Sequence, residues 1–239
     1  MSAIRIHPLN LGTITRPKVL FYYDFKELFH LIEVPIIAWY IENAGKKILV
    51  DTGGVDPEQG PEFAPYSRTE DQTIDRALER LGLGCGEIDV VINTHLHWDH
   101  CGGNGLFPKA EFIVQKAELE SALNPPPVYS GTYLRDVIEA TRFTQVEGEV
   151  EITPGVSVVP LPGHTEGLQG VLVDSGGKRH FICGDAVGLY QNLEADPPVP
   201  SGVYLDLRDS YASLEKIKGS NAIALPGHEV GVFDRSYYG

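Results

Sequence analysis

The stretch Thr94-His95-Leu96-His97-Trp98-Asp99-His100-Cys101-Gly102-Gly103 puts three of the chain's 8 histidines and a carboxylate within six consecutive residues. It follows Ile88-Asp89-Val90-Val91-Ile92-Asn93, an apolar, β-branched run that reads as a buried strand. Side chains alternate along extended chain, so His95 and His97 point the same way from the tip of that strand, and Trp98 turns towards packing. Asp99 and His100 come where the strand gives way to Cys101-Gly102-Gly103-Asn104, and a turn there can aim a carboxylate and a third imidazole at a neighbouring position. Two adjacent ion positions follow from this spacing.

Other strand ends converge on the same chemistry. The tetrapeptide Leu-Pro-Gly-His occurs at Leu161 to His164 and again at Leu225 to His228, each time closing an apolar run. His164 can complete the first ion position and His228 the second. Asp185, which ends the apolar run Phe181-Ile182-Cys183-Gly184, supplies a carboxylate able to bridge two cations. Imidazole and carboxylate ligands without thiolate suit zinc and tolerate manganese, iron or cobalt. His7, His30 and His180 stand apart from this set and read as structural.

Between these points the pattern alternates strands and helices. Residues 35–42 and 46–50 are β-rich runs joined by Asn43-Ala44-Gly45, a turn with glycine placed for a hairpin. Ile74, Ala77, Leu78 and Leu81 fall at helical spacing, residues 109–115 read as a strand, and residues 116–123 read as a helix that Asn124-Pro125-Pro126-Pro127 stops. Residues 128–143 are tyrosine-bearing and weakly periodic, the type of insertion that caps a site. Strands return over 156–164, 168–186 and 221–229, with a helix over 209–219 before the last. This is an α/β chain, and with 42% hydrophobic content and no internal linker, residues 1–239 read as one domain.

Composition removes candidates. A net charge of −14 without a lysine or arginine run repels polyanions, which argues against nucleic acid as the main partner. No segment approaches membrane-spanning length, and a charge and a proline interrupt the opening residues where a signal peptide needs an apolar core, so a cytoplasmic setting without membrane association is expected. Cys85, Cys101 and Cys183 are odd in number with no close pair, so buried or half-buried free thiols are expected rather than disulfides.

His95-x-His97-x-Asp99-His100, then His164, Asp185 and His228, with Leu49-Val50-Asp51-Thr52-Gly53-Gly54 upstream, resemble the metallo-β-lactamase superfamily of hydrolases along nearly the entire chain. The resemblance implies a four-layer αββα sandwich, with two metals at one edge between two sheets and Asp51 orienting a ligand histidine. Superfamily β-lactamases usually carry cysteine where this chain has Asp185, and glyoxalase II enzymes need a basic helical extension where this chain has only Glu229 to Gly239 beyond His228. The chain looks most like the N-acyl homoserine lactonase and 4-pyridoxolactonase branch. One departure stands out: the acyl homoserine lactonases place a tyrosine three residues beyond the bridging aspartate, where this chain has Gly188, with Tyr190 two positions later.

What is expected is therefore a dinuclear hydrolase that opens a lactone with a hydroxide generated between two divalent cations, most simply Zn2+, with Mn2+, Fe2+ or Co2+ as alternatives. Asp99 would carry the proton to the leaving group, and Tyr190, or Tyr133 of the insertion, would support the carbonyl oxygen. The alternatives are hydrolysis of another ester, thioester or amide, or a mononuclear-iron oxidation like that of the persulfide dioxygenases. Residues 20–35, 124–134 and 189–204 should cover the site; all are rich in aromatics or prolines and poor in positive charge. A neutral, partly apolar small molecule is the expected substrate, and the protein is expected to be a monomer or homodimer.

Overall fold

The structure is a computed structural model that describes residues 4–43 and 46–239. The hairpin turn expected at Asn43-Ala44-Gly45 therefore lies largely outside the described residues. Among the described residues, twelve strands form two sheets. The first comprises β1 (Arg5–Pro17), β2 (Leu31–Asn43), β3 (Lys46–Val50), β4 (Tyr66–Ser67), β5 (Val90–Ile92), β6 (Glu111–Gln115) and β7 (Phe143–Val146), in the order β4-β1-β2-β3-β5-β6-β7. The second comprises β8 (Val150–Thr153), β9 (Val156–Pro160), β10 (Gln169–Asp174), β11 (Arg179–Ile182) and β12 (Ile223–Leu225), in the order β12-β11-β10-β9-β8.

β2 shows why the layers stack. Ile36, Ala38 and Tyr40 face one way, into a core shared with Ile74, Ala77 and Leu78 of helix α1 (Ile74–Glu79). Ile37, Trp39 and Ile41 face the other way and meet Val158, Val171, Val173 and Leu225 of the second sheet. A strand apolar on both faces has to be covered on both, by helices outside and a sheet inside. The second sheet repeats the logic: Val159, Leu161 and Phe181 turn outwards onto Leu214 and Ile217 of a C-terminal helix. Helices, sheet, sheet and helix make the four-layer αββα sandwich expected from the sequence.

The other helices are short: α2 (Trp98–Cys101), α3 (Lys116–Leu123), α4 (Arg135–Ala140), α5 (Gln191–Glu194) and, longer, the C-terminal α6 (Leu207–Gly219). The side chain of Asp206 caps α6 by accepting from the N–H groups of Arg208 and Asp209. Strand β1 is not visible in the sequence pattern, because Pro8 and Gly12 break it; its pairing with β2 shifts register between Asn10 and Thr13, where Gly12 has φ +137°. No helix among the described residues is long and apolar enough to cross a membrane. Cys85, Cys101 and Cys183 are free, the last two buried.

Candidate metal centre

β5 ends at Ile92, so His95 and His97 stand on the extended loop beyond it rather than on the strand. Alternation persists through that loop. Leu96, between the two histidines, is fully buried in a separate core with Cys101, Val114 and Tyr133. The expected turn is one turn of helix: His97 is the residue before α2, and Asp99 and His100 lie within it. Gly102 follows because a Cβ there would lie 2.4 Å from the Val55 backbone nitrogen, so only glycine lets the loop beyond β3 pass this close. Both Leu-Pro-Gly-His tetrapeptides leave strand ends, after β9 and at the end of β12. At the second, a Cβ on Gly227 would lie 2.8 Å from the Gly184 carbonyl and 3.0 Å from Asp185 Oδ1, so glycine brings His228 past the aspartate.

The seven predicted side chains meet in one place. Ligand atoms of His95, His97 and His164 lie within 4.8 Å of one another, as do those of Asp99, His100 and His228, and those of His95, His100 and Asp185. Asp185 sits between the groups. Its Oδ2 is 4.0 Å from His95 Nε2 and 3.4 Å from His164 Nε2, and its Oδ1 is 3.2 Å from both His100 Nε2 and His228 Nε2. Asp99 Oδ2 lies 3.8 Å from His100 Nε2 and 3.9 Å from His228 Nε2. His97 turns Nδ1 inwards, 3.1 Å from His164 Nε2. His7, His30 and His180 lie elsewhere: His7 stacks on Tyr40, His30 bonds Glu27 and His180 packs on Tyr238.

The remote ring nitrogens determine which lone pairs face inwards. His164 Nδ1 is 2.8 Å from the Val203 carbonyl and His228 Nδ1 is 2.8 Å from the Pro35 carbonyl. A carbonyl can only accept, so Nδ1 carries the hydrogen and Nε2 offers its lone pair to the centre. Thr94 Oγ1 donates its one hydrogen to Asp51 Oδ2 at 2.7 Å, so it accepts from His95 Nδ1 at 3.1 Å. Asp51 also lies 2.8 Å from His100 Nδ1 and accepts from the Thr94 N–H, the orienting place expected for it.

The donor set fits cations. Among the described residues, His95 Nε2, His100 Nε2 and Asp185 Oδ1 are buried without a hydrogen-bond partner, yet all face the same space. Burial, reinforced by neighbouring imidazoles, drives His95 and His97 well below the usual imidazole range, and burial also lowers His164. Burial would raise Asp185, but His228, His100 and His164 hold it well below the usual carboxylate range. Neutral imidazole and ionised carboxylate are the ligand forms. On the Oδ1 side burial acts to lower His100 and His228, but Asp185 and Asp99 outweigh it and raise both.

A cavity of about 100 Å³ opens over the centre and reaches His97, Asp99, His164, Asp185 and His228. All three expected covering segments reach it, through Leu20 and Phe21, Thr132, and Ser201 and Val203. They are tied to one another: Ser201 Oγ donates to the Leu20 carbonyl at 2.7 Å, and the Tyr129 hydroxyl to the Tyr204 carbonyl at 2.8 Å. Two further segments contribute that the sequence did not single out, β1 with Ile14 and Arg16 and the loop before β4 with Phe63 and Ala64. Arg16 also alters the expected charge of the wall, because the three segments judged poor in cations are not its only components.

The structure does not bring Tyr190 to the cavity. Its ring packs against the inter-sheet core, its backbone N–H donates to Glu229 at 3.1 Å, and its hydroxyl faces that of Tyr238. After Gly188, which packs in ordinary contact with Phe21, the chain places Tyr190 just before α5 and against the C-terminal segment. Tyr133 is also outside the cavity lining; its buried ring packs edge-on to His97 at 5.0 Å. A residue the sequence did not single out, Glu118 of α3, holds the two histidine loops together. Its carboxylate accepts from the Leu96 N–H at 2.9 Å, the Thr165 hydroxyl at 2.5 Å and the Gly167 N–H at 3.3 Å.

With the layers and the donor set in place, the comparison with known proteins is decisive for family. A model of the metallo-beta-lactamase superfamily matches residues 32–228. The chain belongs to the metallo-beta-lactamase superfamily. An N-acyl homoserine lactonase from Bacillus sp is 32% identical over 217 residues, covering 84% of this chain and 83% of that protein. Two solved structures align with a TM-score of 0.85 at 25% identity, covering 98% of this chain and 96% of theirs. One is a mutant of AiiA from B. thuringiensis with N-decanoyl-L-homoserine bound at the active site. The other is an N-acyl homoserine lactone hydrolase with the product N-hexanoyl-L-homoserine bound at its catalytic metal center. The metallo-beta-lactamase fold, the hydrolase class and the lactonase-like character of this chain follow from these relationships.

Proposed function

We propose that this protein is a dinuclear metal-dependent lactonase, similar in its reaction to the N-acyl homoserine lactonases. The observation that carries the reading is the division of Asp185, one oxygen towards His95 and His164 and the other towards His100 and His228. His95, His97 and His164 would hold one cation, Asp99, His100 and His228 the other, and Asp185 would touch both. Two zinc ions there, or manganese, iron or cobalt in their place, would supply Lewis acidity and an acidified water.

The chain's own groups do the rest. Thr94, Asp51, Pro35 and Val203 fix the imidazole rings through the hydrogen bonds described above, so that little reorganisation accompanies the reaction. Asp99 stands on the cavity wall and is 7% exposed, placed to pass a proton to the departing alkoxide oxygen. In the balanced reaction the oxygen of one water bonds to the acyl carbon, the ring C–O bond breaks, and the proton released ends on the alkoxide. Phe21, Phe63 and Val203 give the cavity an apolar side for the part of the substrate beyond the ring. Tyr190 has no part in this scheme, because it lies outside the cavity lining.

The test is a panel of lactones, linear esters, thioesters, amides and β-lactams assayed by acid release, with and without chelator. Lactones should have the highest kcat/KM, and activity should vanish on chelation and return with zinc, manganese or cobalt. Turnover of a thioester, amide or β-lactam well above every lactone would overturn the reading.

A further inference from the structure

Arg16 is the feature of the cavity that this reading leaves unused. It stands near the end of β1, where it pairs with Ile32 of β2, and its side chain lines the same cavity as Asp99, His164 and His228. Among the described lining residues it is the sole lysine or arginine. The guanidinium lies over the Phe63 ring, 5.7 Å from its centroid, and Nη1 donates to the Phe63 carbonyl. Among the described residues it has no other hydrogen-bond acceptor and no carboxylate within ion-pair distance, while seven other Lys and Arg residues have one.

A guanidinium has five N–H donors in a planar fork, and most of this one's are uncommitted. Burial lowers the Arg16 pKa, and the charge of Asp99 in the same cavity is what opposes that effect. Under the proposed function Asp99 is turned over to a cation, which leaves the half-buried charge of Arg16 without a counterpart on the protein. A neutral carbonyl would satisfy one N–H and leave that charge uncompensated. A carboxylate satisfies two N–H groups and the charge together. The neighbouring side chains Ile14, Phe21, Phe63 and Ala64 are apolar and offer the guanidinium no acceptor of their own.

Building on the lactonase reading, we propose that the substrate is a lactone carrying a carboxylate on the part remote from the ring, and that Arg16 is the specificity-determining residue that binds it. The ring carbonyl sits over the metal centre, and the carboxylate meets Nε and the Nη groups of Arg16 at the side of the cavity. This departs from the neutral substrate expected from the covering segments, in which Arg16 of β1 was not included.

The experiment compares lactones in matched pairs, for example N-succinyl homoserine lactone against its terminal amide, with the metal-loaded protein and with Arg16→Gln and Arg16→Lys. The parent should favour the carboxylate member by about 10- to 100-fold in kcat/KM, mostly through KM. Arg16→Gln should collapse that ratio towards unity, and Arg16→Lys should restore part of it, since it keeps the charge and loses the fork. The corresponding lactam pair, which is not turned over by a lactonase, is titrated in parallel by calorimetry. Preferential binding of the lactam carboxylate, abolished in Arg16→Gln, would support the role of Arg16 even if no lactone were hydrolysed; that last result would remove the lactonase reading alone. Equal kcat/KM or equal binding for both members of a pair, or a ratio unmoved by Arg16→Gln, would overturn the proposal.

Discussion

Removing the Glu118 carboxylate tests whether the two histidine loops are held as described. In Glu118→Ala the Leu96 N–H, the Thr165 hydroxyl and the Gly167 N–H all lose their acceptor, in a place where Glu118 itself is 0% exposed. Each hydrogen bond to a charged group contributes about 1.5–3 kcal/mol, and part of the sum is offset because a buried charge no longer has to be desolvated. The expected net loss is about 3 kcal/mol, or roughly 10 °C in melting temperature for a chain of this size. Burial pushes the Glu118 carboxyl up to about 7, against the hydrogen bonds from Thr165, Leu96 and Gly167. The folded state therefore holds a proton that the unfolded chain has released between the ordinary carboxylate range and about 7. Stability should fall as pH rises through that window, and Glu118→Gln should lack that fall. Urea unfolding followed by circular dichroism, on metal-free protein across pH 5 to 8, reads both effects, and zinc titration of the same variants reads the site. An alanine variant within 1 kcal/mol of the parent, with unchanged zinc affinity, would refute the role assigned to Glu118.

Other substitutions separate the parts of the centre. Gly227→Ala places a Cβ 3.0 Å from Asp185 Oδ1 and should displace His228, so metal analysis should find one cation lost while the fold persists by circular dichroism. Asp99→Asn should lower kcat on a lactone by 100-fold or more, and a near-normal rate on a poor leaving group with both metals retained would exclude Asp99 as proton carrier. Tyr190→Phe should leave kcat within about twofold, because Tyr190 lies outside the cavity lining; a large fall in kcat would show that its hydroxyl reaches the substrate.

What was legible in the sequence was local. Alternation around Leu96, the glycine-bounded strand ends and the doubled Leu-Pro-Gly-His identify the histidines, because each is a short-range pattern whose register is preserved in the fold. Most strands of both sheets are visible for the same reason, but not the short β4, β7 and β8, nor β1, where Pro8 and Gly12 interrupt the run although its neighbours are buried. Arg16 was lost with that strand. Glu118 carries no local signal on its helix, and it is buried by segments remote in sequence, Leu96, Thr165 and Gly167; a Cβ on Gly167 would lie 2.0 Å from the Glu118 nitrogen. Tyr190 shows the reverse error. Its closeness to Asp185 along the chain places it near the site, but the direction of a side chain after a turn depends on packing, and here the ring packs against the inter-sheet core.

The central claim is that Asp185 joins two cation sites. The direct measurement is metal content per chain by inductively coupled plasma mass spectrometry, combined with anomalous diffraction at the zinc edge, on the parent, His164→Ala and His228→Ala. Two cations per chain, flanking the two oxygens of Asp185, with each variant depleted mainly at its own site, are predicted. A fully active parent with one cation per chain, or with two that Asp185 does not touch, would contradict the account.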